Sequence, residues 1–186
     1  MSEPLKIAIR ILPFVAIIFF ILLNVKKGKL SSDEIGLHPP HKLQHAFLWC
    51  IGFLVFCLLT ELALFRFGFL EVQHHTFKPL TSSVKLIGII LLAPVAEELL
   101  YRGLFLSKLI GFKINKHLAI GIIAILFVIM HSFVFENTLA SKIGIVQTFV
   151  DATLFGYARL TTKSIYTPII MHITGNLIAA AEMYLL

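Results

Sequence analysis

Polar and charged positions in this chain are gathered into short breaks between long apolar runs, and that spacing predicts helices. The runs cover about residues 7–25, 44–67, 83–109, 117–135, 143–160 and 165–186. Each approaches the ~20 mostly apolar residues that an α-helix needs to cross a bilayer. The link over 26–42 holds Ser31-Ser32-Asp33-Glu34, a helix-start signal, and Pro39-Pro40, a break. The link over 68–82 holds His74, His75 and Pro79, and a shorter polar link covers 111–116. Lys6 and Arg10 precede an apolar run that continues to Val25 without a small-residue cleavage site, so the first run reads as a retained span. No internal repeat or low-complexity tract interrupts the pattern. The expected fold is an all-α, polytopic transmembrane bundle of about six spans, with any active site in a cavity between helices. Residues 1–82 are expected to form N-terminal transmembrane helices with a polar loop, and residues 83–186 a helical core that carries the chemistry.

Composition sharpens the class. The chain is 58% hydrophobic and 14% charged, where a soluble domain carries roughly 25% charged residues. The formal charge of +6 comes from basic residues scattered among short links, without a stripe or an arginine-rich block. Nucleic acid is therefore not an expected partner, and loop lysines facing anionic lipid head groups explain the sign. Lys and Arg are more numerous in the links after the first, third and fifth runs, among them Lys26, Lys27, Lys29, Lys108, Lys113 and Lys163. The positive-inside rule then places both termini outside. Cys50 and Cys57 are seven residues apart in one helix, about 10 Å along its axis, too far to bridge. His38, His41, His45, His74, His75 and His117 fall at span borders or in links, where interfacial solvation is their ordinary role.

Against this background three apolar runs each hold polar groups that lipid would reject. Glu97-Glu98-Leu99-Leu100-Tyr101-Arg102 follows an uncharged stretch from Leu86 to Ala96. A charge at membrane depth costs ~2.5–3.5 kcal/mol on insertion scales, so it normally has a partner and a task. Glu98 and Arg102 are spaced i,i+4 with the acid first, the favourable order for an intrahelical pair. Glu97 points about 100° away and is expected to aim at another helix. Pro94, just before the pair, removes an N–H and loosens the helix there. Phe127 precedes His131 by four residues, with Ser132 as a candidate hydrogen-bond partner for the imidazole. His172 and Asn176, also i,i+4, share one face of the last helix.

The chain has no HExxH and no GxSxG, and Asp151 is the one deep aspartate, which excludes a diaspartyl protease. A carboxylate, two imidazoles and a carboxamide remain. A carboxylate can take a proton from water, an imidazole can position that water, and N–H groups can stabilise an oxyanion. Those are the parts of non-covalent amide hydrolysis.

Taken in order, Glu97-Glu98-xxx-Arg102, Phe127-xxx-His131 and His172-xxx-Asn176 resemble the motifs of the CAAX-protease and bacteriocin-processing (CPBP or ABI) family of intramembrane proteins. Gly156-Tyr157-Ala158-Arg159 and the stretch 162–168 resemble its lead-in to the last motif. The resemblance covers residues 83–180. It implies a metal-independent glutamate endopeptidase without a cofactor, acting on a peptide or protein substrate at the membrane. It also implies roles: Glu97 as general base, His131 helping to activate water, His172 and Asn176 as the oxyanion site, and Glu98 with Arg102 as the supporting pair. Asp151 departs from the apolar residues expected at its position and is a candidate cavity residue. The compact, loop-poor chain points to a multi-pass protein of a bacterial cell membrane.

Three other readings use the same groups. Glu97, His131 and His172 have the chemistry of zinc ligands, which would make the protein a metal-dependent membrane hydrolase. A non-catalytic protein conferring bacteriocin immunity or scaffolding a membrane partner is a second, although it has no need of Glu97. A proton-coupled transporter is a third, without the inverted repeats such folds usually show.

Overall fold

The computed structural model describes residues 3–69 and 79–185 of the chain, and every apolar run within them is helical. Helix α1 (Glu3–Lys26) is followed by the one-turn helix α2 (Ser32–Ile35) and by α3 (Leu43–Arg66). A continuous helical run then covers residues 79–111, in which α4 (Pro79–Ile87), α5 (Ala93–Glu98) and α6 (Leu106–Gly111) are joined by two π-turns, Gly88–Leu92 and Leu99–Phe105. Helices α7 (Lys116–Ile129), α8 (Leu139–Thr162) and α9 (Tyr166–Leu185) complete the bundle. No strand occurs among the described residues. His74 and His75 lie outside them.

Helices α1 and α3 are long and apolar enough to cross a membrane, over Ala8–Lys26 and Leu43–Arg66. Their outer faces are apolar and bare: Phe19, Phe20, Phe47, Leu58, Leu62 and Phe65 are all exposed. Water would penalise each by roughly 25 cal/mol per Å² of apolar surface, whereas hydrocarbon would not. Contiguous apolar surface of this kind marks a face that meets lipid or protein.

Helix α8 is the central strut, packed against α7 on one side and α3 and α9 on the other. Gly156 permits the closest approach, since a Cβ there would stand 2.9 Å from Ile120 on α7. One core is built on Tyr101, Ile120, Ile123, Phe127 and Ala152, a second on Phe53, Cys57, Phe155 and Met171.

The sequence predicts helix through residue 135, but α7 ends at Ile129 and a 3₁₀ turn, Ser132–Phe135, follows. The His131 ring explains the stop. In a continuing α-helix the His131 N–H would bond the Phe127 carbonyl. Instead the imidazole Nδ1 takes that carbonyl at 2.8 Å, and the backbone N–H moves to Val128 at 2.9 Å. The side chain has displaced its own main chain.

The polar link between α1 and α3 is fastened to the bundle. Ser31 caps α2 by accepting from the Glu34 N–H, as its sequence predicts. Gly36 then turns left-handed (φ 71°) and its carbonyl accepts from the Ile165 N–H at 2.8 Å. Arg159 Nη2 donates to the Glu34 carbonyl at 2.8 Å, and Ser107 Oγ to the same oxygen at 2.6 Å. Ile35 is thereby buried against Ile21, Leu99 and Ile165.

A Cβ on Gly36 would run into the Arg159 guanidinium, and the left-handed backbone itself costs an L-residue about 1–2 kcal/mol. Gly36→Ala is therefore expected to lower stability by at least that amount, read as a fall of several degrees in the thermal midpoint in detergent. An unchanged midpoint would show that the link is not fastened as described.

Candidate active site

The order of the site begins with Glu98. As the i,i+4 spacing predicts, Arg102 Nη1 donates to Glu98 Oε1 at 2.7 Å, and both side chains are fully inaccessible. The pair is tied outward in three directions. Arg102 Nη2 donates to the Ala152 carbonyl of α8 at 3.0 Å. The guanidinium lies 4.6 Å above the Phe127 ring of α7 and 5.3 Å from that of Phe155 on α8, positions where a cation is attracted to the ring face. His172 of α9 brings Nδ1 to 3.0 Å from Glu98 Oε1. A carboxylate already held by a guanidinium accepts, so this nitrogen carries the proton and donates.

That one bond sets the imidazole of His172. Its ring stacks on Phe155 with centroids 5.2 Å apart and meets Phe127 edge-on at 5.7 Å. The opposite nitrogen, Nε2, then stands 3.8 Å from Glu97 Oε2. Glu97 thus does aim at another helix, and unlike Glu98 it keeps partial exposure, 23% against 0%. A separation of 3.8 Å is too long for a direct hydrogen bond and is the span that a bridging water fills.

His131 is oriented by the Phe127 carbonyl described above. A carbonyl can only accept, so Nδ1 donates, and the residue lines the cavity described below. The Ser132 side chain, the partner considered from sequence, lies outside the described side chains. Asn176 leaves its α9 face toward the first π-turn, where Nδ2 donates to the Ile89 carbonyl at 2.8 Å. One of its two amide hydrogens is so engaged.

His131, His172 and Asn176 border a cavity of about 350 Å³ that Asp151, Glu61 and Gln147 also line, whereas Glu97 is not among its lining residues and reaches it through His172. A larger groove, about 700 Å³, runs beside it between α3, α8 and α9, but its walls are mostly apolar and it holds none of the seven residues of the three motifs. Phe53 borders both. Asp151, the odd residue of the sequence, faces the polar cavity with Oδ1 unpaired. Glu61 and Gln147 were missed in the sequence; Gln147 Nε2 donates to Glu61 Oε1 at 2.9 Å across α8 and α3. The signal was present, since Glu61 interrupts an apolar run just as Glu97 does. Among the described residues no group of three or more His, Cys, Asp or Glu side chains converges as a metal-ligand set. Cys50 and Cys57 are free thiols.

Breaking a buried pair by removing one partner costs about 3–5 kcal/mol, because the other charge is left uncompensated. Arg102→Met is expected to unfold the protein or lower its thermal midpoint by more than any substitution at Glu97. The double variant Glu98→Gln/Arg102→Met should recover much of that loss. Equal midpoints for the single and the double would contradict a pair that acts through its charge.

A scan against protein-family models matches residues 79–178 to the family described as type II CAAX prenyl endopeptidase Rce1-like. The match runs from α4 into α9 and takes in all seven residues of the three motifs. No curated protein and no solved structure matches the chain. With more than half of its length covered, the chain belongs to the Rce1-like family of type II CAAX prenyl endopeptidases.

Proposed function

We propose that the protein is a multi-pass intramembrane endopeptidase, with its helical bundle crossing the bilayer and water activated at Glu97 as the nucleophile. The observation that carries this reading is the 3.8 Å gap between Glu97 Oε2 and His172 Nε2 beside the polar cavity. His172, held by Glu98 through Nδ1, offers Nε2 as an acceptor. A water in the gap donates one hydrogen to each group and turns a lone pair to the substrate.

The water oxygen attacks the peptide carbonyl carbon while its proton passes to Glu97. The carbonyl oxygen becomes an oxyanion, met by the remaining N–H of Asn176. Collapse breaks the C–N bond, and Glu97 returns the proton to the leaving nitrogen. One water is consumed, and a carboxylic acid and an amine are released, which leave as carboxylate and ammonium once the acid's proton passes to the amine. His172 here shares the water with Glu97, whereas the family resemblance alone placed it in the oxyanion site. Glu98 and Arg102 stay outside the chemistry and fix the imidazole. The family description makes a C-terminal CAAX-type peptide the first substrate to offer, beside unprenylated membrane peptides.

The test is cleavage of such a panel by purified protein in lipid, wild type against Glu97→Gln, each with and without a chelator. Wild type should cut, the variant should be at least ~100-fold slower in kcat, and the chelator should change neither. Cleavage that survives in Glu97→Gln would overturn the glutamate base. Loss of wild-type cleavage on chelation would move the chemistry to a metal.

A further inference from the structure

The first π-turn contains a hydrogen-bond deficit that its own helix cannot repair. Ala93 donates its N–H to the Gly88 carbonyl, five residues back, as a π-turn requires. In the same register the next carbonyl, that of Ile89, would receive the N–H of residue 94. Residue 94 is proline and has none. Against lipid an unpartnered carbonyl is costly, because no water replaces the lost donor. Asn176 supplies the donor from α9, at 2.8 Å.

The position of that bond matters. His172 and Asn176 stand one turn apart on α9, and they reach the helical run on either side of Pro94: Asn176 at Ile89, His172 at Glu98. Glu97 lies between the two anchors, three residues after the proline and directly before the second of them. We infer that Asn176 is a positioning residue: it returns to Ile89 the hydrogen bond that Pro94 withholds, and so holds the π-turn that aims Glu97 at His172. The inference rests on the proposed role of Glu97 for its catalytic consequence, while the clamp stands on the hydrogen bond alone.

If so, the importance of Asn176 is conditional on Pro94. Giving residue 94 an N–H should make the Asn176 clamp dispensable, which a double-mutant cycle reads directly. The variants are Asn176→Ala, Pro94→Ala and the double, with Asn176→Leu repeating the cycle at near-constant volume. Thermal midpoints in detergent are measured together with kcat and KM on a cleaved peptide.

In the wild-type background, Asn176→Ala should lower the midpoint by about 5 °C, the scale of one carbonyl left without its donor in a chain of this length. It should also lower kcat by at least ~100-fold at constant KM. In the Pro94→Ala background the same change should lower the midpoint by no more than ~1 °C, and the kcat loss should shrink about tenfold, leaving the share due to the oxyanion contact. Pro94→Ala alone should melt no lower than wild type. An Asn176→Ala variant that fails to fold while the double folds supports the clamp.

Equal costs in both backgrounds overturn it. So does a Pro94→Ala variant that melts lower, because an N–H returned to Ile89 would then not be what the turn lacks. Coupling in the midpoints without coupling in kcat overturns the positioning of Glu97. If no peptide is cut by any form, the proposed function fails, and the midpoints still decide the clamp.

Discussion

A carboxylate and a guanidinium stripped of all water are the constraint around which the rest of this molecule is arranged. Moving such ions out of water carries a penalty of several kcal/mol each, and their mutual attraction offsets it only when the remaining donors and acceptors are met. Glu98 and Arg102 recruit partners from three neighbouring helices, α7, α8 and α9. The Ala152 carbonyl comes from α8, an imidazole N–H from α9, and the ring faces of Phe127 and Phe155 from α7 and α8. Four packed elements are thereby held in one register by a single buried charge pair. The apolar cores on either side supply most of the burial, but they do not by themselves specify how α9 is rotated against α5. The Glu98–His172 bond does.

From that register the division of labour between adjacent glutamates follows. Neighbouring helical side chains diverge by about 100°, so burying Glu98 leaves Glu97 turned toward His172. The same imidazole meets both: Nδ1 on the fully buried carboxylate, Nε2 toward the partly exposed one. On the proposed function, the fold thus orients the reacting side of the ring. Each histidine of the site has its Nδ1 occupied by an acceptor, His172 by Glu98 and His131 by the Phe127 carbonyl. Asn176, one turn from His172, works from the same face of α9, so that face carries both the orientation of the site and part of its chemistry.

Much of this was legible in the chain. The apolar runs marked the long helices, and the i,i+4 spacing of Glu98 and Arg102 identified the buried pair and left Glu97 unassigned to it. Ser31 was readable as a cap because its oxygen needs only the N–H three residues on. What escaped was of another kind. The two π-turns that flank α5 follow no 3.6-residue periodicity, and only Pro94 hinted at the first. The end of α7 at Ile129 depends on a side chain that outcompetes its own backbone for the Phe127 carbonyl, a choice hydrophobicity does not encode. The stacking of Phe155 on His172 joins residues far apart in sequence, and an apolar run offers no sign of which phenylalanine will do it. Glu61 was readable by the rule that singled out Glu97. Its partner Gln147 was not, since the pairing exists only once α3 and α8 are side by side.

The central claim is that Glu98 belongs to the fold and Glu97 to the reaction, although they are neighbours of identical chemistry. The most direct measurement is the thermal unfolding midpoint of Glu97→Gln beside that of Glu98→Gln, in the same detergent and lipid. The account predicts that Glu97→Gln melts within a degree or two of wild type, while Glu98→Gln, with Arg102 left uncompensated, melts far lower or does not fold. Midpoints lowered equally would contradict it, because both glutamates would then be structural.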